Sequence, residues 1–271
     1  MRRLLYIVLP LLLLSCENDV DAPDWPDHDP KLVVTAGLRI EGDSVFVFCR
    51  VSRTVSLSES YQVENAMVND ADVRVEHDGV AWEIPFRENY YPFEYDVNYA
   101  GVVPRGTTER FVLSVKKGGL HARAMLQIPG IPLKFDSLRV TTYRPQYNEG
   151  VMYYRLTTPQ RRVSYDLILE QYSDQVGWGN TWYSTRIITE SYDDENEGLF
   201  QFGTTTYKRR IRYTLIASSP ERIDYENSRW WSGSGDSPFE PEPNNPAFNM
   251  EGDGIGFFWW ELVGDPVEIE Y

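Results

Sequence analysis

The stretch that decides the fold class is RFVLSVKKGGLHARAMLQI at residues 110–128. Before the Gly118-Gly119 pair, apolar residues recur at every second position, at Phe111, Leu113 and Val115. Such alternation is typical of a β-strand with one buried face and one wet face, and a glycine pair between two such runs indicates a hairpin. The stretch therefore predicts two antiparallel strands.

The same pattern recurs on the N-terminal side. Residues 31–40 and 44–51 flank a turn at Gly42, and residues 71–76 and 80–86 flank His77-Asp78-Gly79. Asp-Gly favours a type I′ turn, because both central residues must tolerate positive φ. Together with the first hairpin, these runs predict an antiparallel β-sandwich over residues 31–128.

A second group of strands follows Pro129-Gly130-Ile131-Pro132, whose prolines and glycine mark a domain boundary. It predicts another sandwich over residues 133–271. Ser219, Pro220 and Glu221 are typical of a helix start, which predicts a short helix over residues 220–231. The expected fold is all-β: two antiparallel β-sandwich domains, Ig-like or transthyretin-like, with one short helix near the end of the second. The predicted strands of the second domain lie at 135–143, 152–156, 163–172, 183–191, 198–203, 209–218, 254–263 and 267–269.

The N-terminus is typical of an export signal. Arg2 and Arg3 precede an apolar run over residues 4–14, and that run is too short to cross a bilayer, which takes about 20 apolar residues. Leu13-Leu14-Ser15-Cys16 resembles the lipobox of bacterial lipoproteins. The resemblance implies that residues 1–15 are a signal peptide and that Cys16 carries the acyl chains that anchor the protein to a membrane.

Residues 16–30 are rich in aspartate and proline and have almost nothing apolar, which predicts an extended tether. An acidic stretch directly after the lipidated cysteine also resembles the surface-export signal of Bacteroidota lipoproteins. That resemblance implies an outer-membrane lipoprotein that faces the cell exterior, and the periplasmic face is the alternative.

Composition limits the partners. With 26 Lys and Arg against 41 Asp and Glu, the formal charge is −15, which disfavours nucleic acid as a partner. If Cys16 is acylated, Cys49 has no partner for a disulfide, and its setting in an apolar run predicts a small buried hydrophobe.

A search for catalytic patterns gives little. His28, His77 and His121 show no metal-ligand spacing, and no Gly-x-Ser-x-Gly or Cys-x-x-Cys occurs, so we expect no metal site, no cofactor and no enzyme. The carboxylates at 193–195 and Glu261 leave a carboxylate-dependent hydrolase open as an alternative.

The aromatic residues are the remaining candidates for ligand or partner binding. In the run Phe257-Phe258-Trp259-Trp260, alternate rings must point to opposite faces of a strand. One face is core, and the other is either an exposed platform for recognition or a second packed face. The candidate binding residues are Trp178, Trp182, Trp230, Trp231, Trp259 and Trp260.

Three features resemble a Bacteroidota lipoprotein family, domain of unknown function 4249. They are the Cys16 tether leading into residues 31–37, the strand pattern over 66–75, and the closing Phe248-Asn249 followed by Gly252, Gly254 and Gly256. Departures exist, since the family commonly has Gly-Trp where this chain has Gly37-Leu38 and ends in G-x-F-G-A where this chain continues to Trp259-Trp260.

The resemblance implies a TonB-dependent outer-membrane receptor as a partner and brings no catalytic residues. The leading hypothesis is a non-catalytic binding or accessory lipoprotein that works with such a transporter on a glycan, a peptide or another nutrient. The alternatives are a structural or adhesive surface protein and the hydrolase.

Overall fold

The computed structural model describes residues 29–55, 66–90, 97–144, 149–158, 162–173, 177–179, 185–188, 194–203, 210–224 and 248–270. Within these ranges the chain is almost entirely β-strand, and a short helix begins at Pro220 and is described over 220–224. The expected all-β class and the helix near the end are confirmed. No helix in the described ranges is long and apolar enough to cross a membrane.

Eight of the described strands precede residue 129: β1 Leu32–Glu41, β2 Ser44–Arg53, β3 Asp72–His77, β4 Val80–Glu83, β5 Phe86–Tyr90, β6 Val97–Pro104, β7 Arg110–Lys117 and β8 Leu120–Gln127. Ten follow it: β9 Ser137–Arg144, β10 Glu149–Thr158, β11 Ser164–Ser173, β12 Gly177–Gly179, β13 Thr185–Ile188, β14 Asp194–Gly203, β15 Arg210–Ser218, β16 Glu251–Gly252, β17 Gly254–Val263 and β18 Val267–Glu270.

These strands form three sheets. The largest has ten strands in the order β12-β11-β15-β17-β1-β2-β6-β5, with β13 paired to β11 and β18 paired to β15. A five-stranded sheet has the order β16-β8-β7-β3-β4, and a three-stranded sheet has the order β14-β10-β9.

The three predicted hairpins are confirmed. In the β3–β4 hairpin, Asp78 and Gly79 have φ values of 51° and 73°, as a type I′ turn requires. Gly42 and Gly118 also have positive φ in the turns of the β1–β2 and β7–β8 hairpins. Local sequence sufficed here because each turn fixes the pairing of its two neighbouring strands.

The last long strand lies next to the first. β17 pairs in parallel with β1, from Leu32 opposite Gly254 to Glu41 opposite Val263. The ten-stranded sheet therefore joins strands from both sides of the predicted boundary at 129–132. β17 belongs to the predicted second domain, but it pairs with β1 of the predicted first domain.

The main apolar core of the described residues draws on all three sheets. It combines residues of the ten-stranded, five-stranded and three-stranded sheets, among them Val34, Leu113, Met152 and Trp260. Cys49 lies in this core with 0% exposure, and burial raises the pKa of its thiol, so the prediction of a small buried hydrophobe is confirmed. The face of the ten-stranded sheet turned away from this core is called the outer face below.

Candidate functional site

Two of the six candidate tryptophans lie in β17, and both are buried. Trp259 and Trp260 are each 2% exposed. Trp260 lies in the main core, whereas Trp259 packs on the outer face, edge-on to Phe48 with ring centroids 5.2 Å apart. Of the two alternatives for this strand, the second packed face therefore holds, and Trp259 and Trp260 form no exposed platform.

Trp178 is different, since it is half-buried on the short edge strand β12. Its ring lies edge-on to Tyr172, with centroids 5.3 Å apart. The Arg212 guanidinium lies 4.8 Å from the centre of the Trp178 ring, and the Arg210 guanidinium lies 4.7 Å from that of Tyr172. These residues and Glu170 are called the Trp178 cluster. Trp182, Trp230 and Trp231 lie outside the described residues.

Acidic side chains hold the two arginines in place. Arg212 donates from Nη2 to Glu170 Oε1 at 2.6 Å, and Arg210 donates from Nη2 to Glu268 Oε2 at 3.0 Å. The hydrogen bond to Glu170 raises the pKa of Arg212. Because the guanidiniums are fixed against the rings, cation–π attraction orients both aromatics at this edge of the sheet. The Trp178 cluster is thus an ordered, partly exposed aromatic surface.

A buried ionic cluster lies further along the outer face. Glu261, 4% exposed, accepts a hydrogen bond from Arg39 Nη1 at 3.3 Å and a second from Arg222 Nη1. Arg222 belongs to the short helix, and its guanidinium lies 4.9 Å from the centre of the Trp259 ring. Burial raises the pKa of Glu261, while the two arginines oppose that shift. Glu261 therefore connects the helix to the sheet.

An open cavity of about 490 Å³ lies beside the β3–β4 hairpin and is called the hairpin cavity. Its walls come from the hairpin, from the loop between β6 and β7, and from the outward faces of β7 and β8. The lining residues are Glu76, His77, Asp78, Gly79, Thr107, Thr108, Arg110, Val112 and Arg123.

His77 and Asp78 fix the loop at one wall of this cavity. His77 is 3% exposed, stacks on Phe111 and accepts a hydrogen bond from the Gly106 N–H at Nε2, 2.8 Å away. Because Nε2 accepts, the proton lies on Nδ1, which is 3.2 Å from the Arg110 carbonyl oxygen. Asp78 accepts from the backbone N–H groups of Thr107 and Thr108, at 2.5 and 2.9 Å.

Hydrogen bonds from Thr108 and Thr107 lower the pKa of Asp78 to about 2. The carboxylate is therefore ionised at neutral pH, and both of its oxygens accept hydrogen bonds from the loop. His77 is a buried structural residue of the turn.

The described ranges show no pair of the candidate carboxylates arranged as a hydrolase would need. Glu261 is paired with two arginines, and the structure does not describe the side chains at 193–195. In the part of the chain that the structure describes, no three His, Cys, Asp or Glu side chains come together as metal ligands would.

The closing Asn-Gly motif has a structural explanation. The Asn249 side chain donates to the Phe258 carbonyl and accepts from the Phe258 N–H, both at 2.7 Å, as a neighbouring strand would. Gly256 has a φ of 134°, and a Cβ atom there would overlap the Val34 carbonyl oxygen. Gly37 is required in the opposite strand, because a Cβ would overlap the rings of Phe48 and Trp259.

The profile of the family described as Domain of unknown function (DUF4249) matches residues 19–260. The chain belongs to this family. The match covers both sides of the boundary predicted at 129–132 and includes the Asn249–Gly256 motif. Membership agrees with the resemblance seen in the sequence, and the family description brings no activity with it.

The other comparisons give no information about function. A search of curated proteins finds no match. Two solved structures titled as cytokine receptor complexes align with 10% and 11% identity, covering 88% and 70% of this chain and 95% and 92% of theirs. Their TM-scores are 0.26 and 0.23, which is too low for a structural or functional argument.

Sequence reasoning missed the hairpin cavity. Its turn was predicted from Asp78-Gly79, but the loop that Asp78 binds is about thirty residues away in the chain. The arginines Arg110 and Arg123 looked like ordinary polar positions of a half-exposed hairpin. The run Gly106-Thr107-Thr108 offers consecutive backbone N–H donors, which the sequence shows. The residues that accept these hydrogen bonds are distant in the chain and could not be inferred from the neighbouring sequence.

Proposed function

We propose that the protein is an outer-membrane lipoprotein, anchored through Cys16 and facing the cell exterior, that acts as a non-catalytic binding or accessory subunit. The partner in this proposal is a TonB-dependent outer-membrane receptor, and the ligand is a glycan or a peptide. The export signal, the lipobox and the acidic tether support the anchoring, and the family match begins within that tether, at residue 19.

The Trp178 cluster is the observation that carries the binding role. An indole that is partly exposed and already ordered loses little conformational entropy when a ligand stacks on it. Aromatic faces also provide a large apolar area with specific geometry, which suits sugar rings and peptide side chains. The acids Glu170 and Glu268 support this surface indirectly, because they hold the two arginines that lie against the rings.

The binding role is tested by affinity capture from detergent-solubilised outer membranes of cells that express the tagged full-length protein. Trp178→Ala should lower recovery of the co-purified receptor or ligand tenfold or more, because truncation of a central interface tryptophan costs roughly 2 kcal/mol, which is about thirtyfold in affinity. Tyr153→Ala is the matched control, since Tyr153 is 46% exposed on a different sheet. Equal recovery with both variants would exclude the Trp178 cluster as the binding surface.

The anchor is tested separately. Cys16→Ser should move the protein from the membrane fraction to the soluble fraction, because the acyl chains are lost. Protease added to intact cells should degrade the wild-type protein if it faces the exterior. Protection until the outer membrane is permeabilised would place the protein on the periplasmic face, and a membrane-bound Cys16→Ser variant would refute the lipoprotein assignment.

A further inference from the structure

The hairpin cavity has the size of a small-ligand site. At about 490 Å³ it falls within the range of 300–1,000 Å³ that is typical of such sites and could hold a mono- or disaccharide. Val112, 7% exposed, provides an apolar patch among otherwise polar walls. Apolar contact with a few polar groups around it is the usual composition of a pocket that orients a small polar molecule.

Two arginines in this cavity have no ionic partner among the described residues. Within the described ranges, neither the Arg110 nor the Arg123 guanidinium lies within ion-pair distance of a carboxylate, and Arg110 Nε contacts Met125 Sδ at 3.1 Å. Elsewhere in this acidic chain, arginines are commonly paired with carboxylates: Arg39, Arg74, Arg105, Arg155, Arg162, Arg210, Arg212 and Arg222. Arg110 and Arg123 therefore differ from these paired arginines, since neither guanidinium has a carboxylate partner among the described residues.

The carboxylates of the cavity do not neutralise these arginines. Asp78 is held by the backbone N–H groups of Thr107 and Thr108 and by the Thr107 hydroxyl, so its oxygens are committed to the loop. Glu76 is exposed at the rim and makes no ion pair with a described residue. The local charge is thus available to a ligand.

The walls are held before any ligand arrives. Stacking of His77 on Phe111 and the Gly106 hydrogen bond fix the loop, and the β7–β8 ladder fixes the strands that carry Arg110 and Arg123. A site whose backbone is already ordered binds with a smaller entropic cost.

We infer that the hairpin cavity binds the oxyanion group of a small polar ligand, a carboxylate such as that of a uronic acid or a sulfate ester on a sugar. The planar guanidinium of arginine presents paired N–H donors that match both groups. Arg110 and Arg123 bind the anion, and Val112 contacts the apolar face of the ligand. This site goes beyond the proposed function and depends on neither the lipid anchor nor the Trp178 cluster.

The test is isothermal titration calorimetry of the full-length protein, purified in detergent, at low salt. Glucuronate and glucose 6-sulfate are compared with glucose as the neutral match. At least one anionic sugar should bind roughly tenfold or more tightly than glucose, because hydrogen bonds between charged partners contribute most of the difference. The anionic sugar with the higher affinity shows whether a carboxylate or a sulfate is the preferred group.

Variants locate the site. The double variant Arg110→Gln/Arg123→Gln should weaken binding of the anionic sugar about tenfold. Arg74→Gln/Arg139→Gln removes the same charge at exposed positions that do not line the cavity, and it should leave affinity nearly unchanged. Glu76→Gln should tighten binding of the anionic sugar about threefold, because it removes a negative charge that repels the anion. Glu83→Gln should leave the affinity unchanged, because Glu83 does not line the cavity.

Three results would overturn the inference. The first is that neither anionic sugar binds more tightly than glucose. The second is that both double variants weaken binding equally, which would reduce the effect to net charge. The third is that Glu76→Gln leaves affinity unchanged, a result that does not depend on how the arginine variants fold. Loss of capture by Trp178→Ala with intact anion binding would separate the two sites.

Discussion

The side-chain amide of Asn249 hydrogen-bonds to both the N–H and the C=O of Phe258, at 2.7 Å each. A single side chain thereby replaces a strand partner at this point of β17. β15 reaches β17 at residues 261–263, so Phe258 lies beyond the ladder that β15 provides. The amide satisfies backbone groups that would otherwise be buried without partners.

Asn249→Ala should lower the free energy of unfolding by roughly 2–4 kcal/mol, because it leaves two backbone groups of Phe258 unsatisfied. Chemical denaturation monitored by tryptophan fluorescence measures the change. Phe248→Ala, next to Asn249 and 48% exposed, is the control and should have a much smaller effect. Similar destabilisation by both variants would show that the amide is not responsible.

Gly256→Ala should be more damaging, at about 3 kcal/mol or more. The added Cβ would overlap the Val34 carbonyl oxygen, and the φ of 134° is unfavourable for alanine. Gly119→Ala is the matched control, because no atom lies within 4 Å of its Cβ position. We expect Gly119→Ala to remain within about 0.5 kcal/mol of the wild type. A soluble Gly256→Ala protein of wild-type stability would contradict the described backbone.

Asp78 should contribute to stability in a pH-dependent way. Its folded-state pKa of about 2 lies below the ordinary value of 3.8, so its contribution is present above about pH 4 and is lost as pH falls towards 2. Asp78→Asn should flatten that part of the plot of melting temperature against pH. Asp43→Asn, in the turn between β1 and β2, is the control for the loss of one charge. An unchanged acid limb in Asp78→Asn would remove Asp78 as its cause.

Glu261→Leu should lower the free energy of unfolding by about 3–5 kcal/mol, because it removes the carboxylate that both Arg39 and Arg222 contact inside the protein. Glu270→Gln is the control, since Glu270 is 80% exposed and pairs with Arg210 at 3.4 Å. We expect it to cost less than about 1 kcal/mol. Thermal and urea denaturation of both variants provide the comparison.

Glu261 also predicts a pH effect of the opposite sign to that of Asp78. Burial raises its pKa above the ordinary value, so between the two values the folded state holds its proton more strongly than the unfolded state. The stability that it contributes therefore falls as pH rises through that interval. In Glu261→Leu this decline should disappear, and a decline that persists would have to come from another group.

The sequence predicts the hairpins well because their information is local. Asp78-Gly79 and Gly118-Gly119 specify turns, and alternation on either side specifies the faces. It does not predict the neighbour of β1, because nothing within Leu32–Glu41 names Gly254–Val263 as its partner. Alternation also could not decide the exposure of Trp259, since a strand covered on both faces has the same aromatic run as a half-exposed one.

The parallel pair of β1 and β17 has a consequence for biogenesis. β1 is synthesised before the other described strands, and its neighbour on one side, β17, is among the last. Until then, β1 keeps an open backbone edge that other chains could extend. Pairings between strands so distant in the chain also form slowly. The unfinished chain would need chaperones to cover this edge until its last strands are made, and a product cut short before residue 254 would keep the edge open and be a target for quality-control proteases.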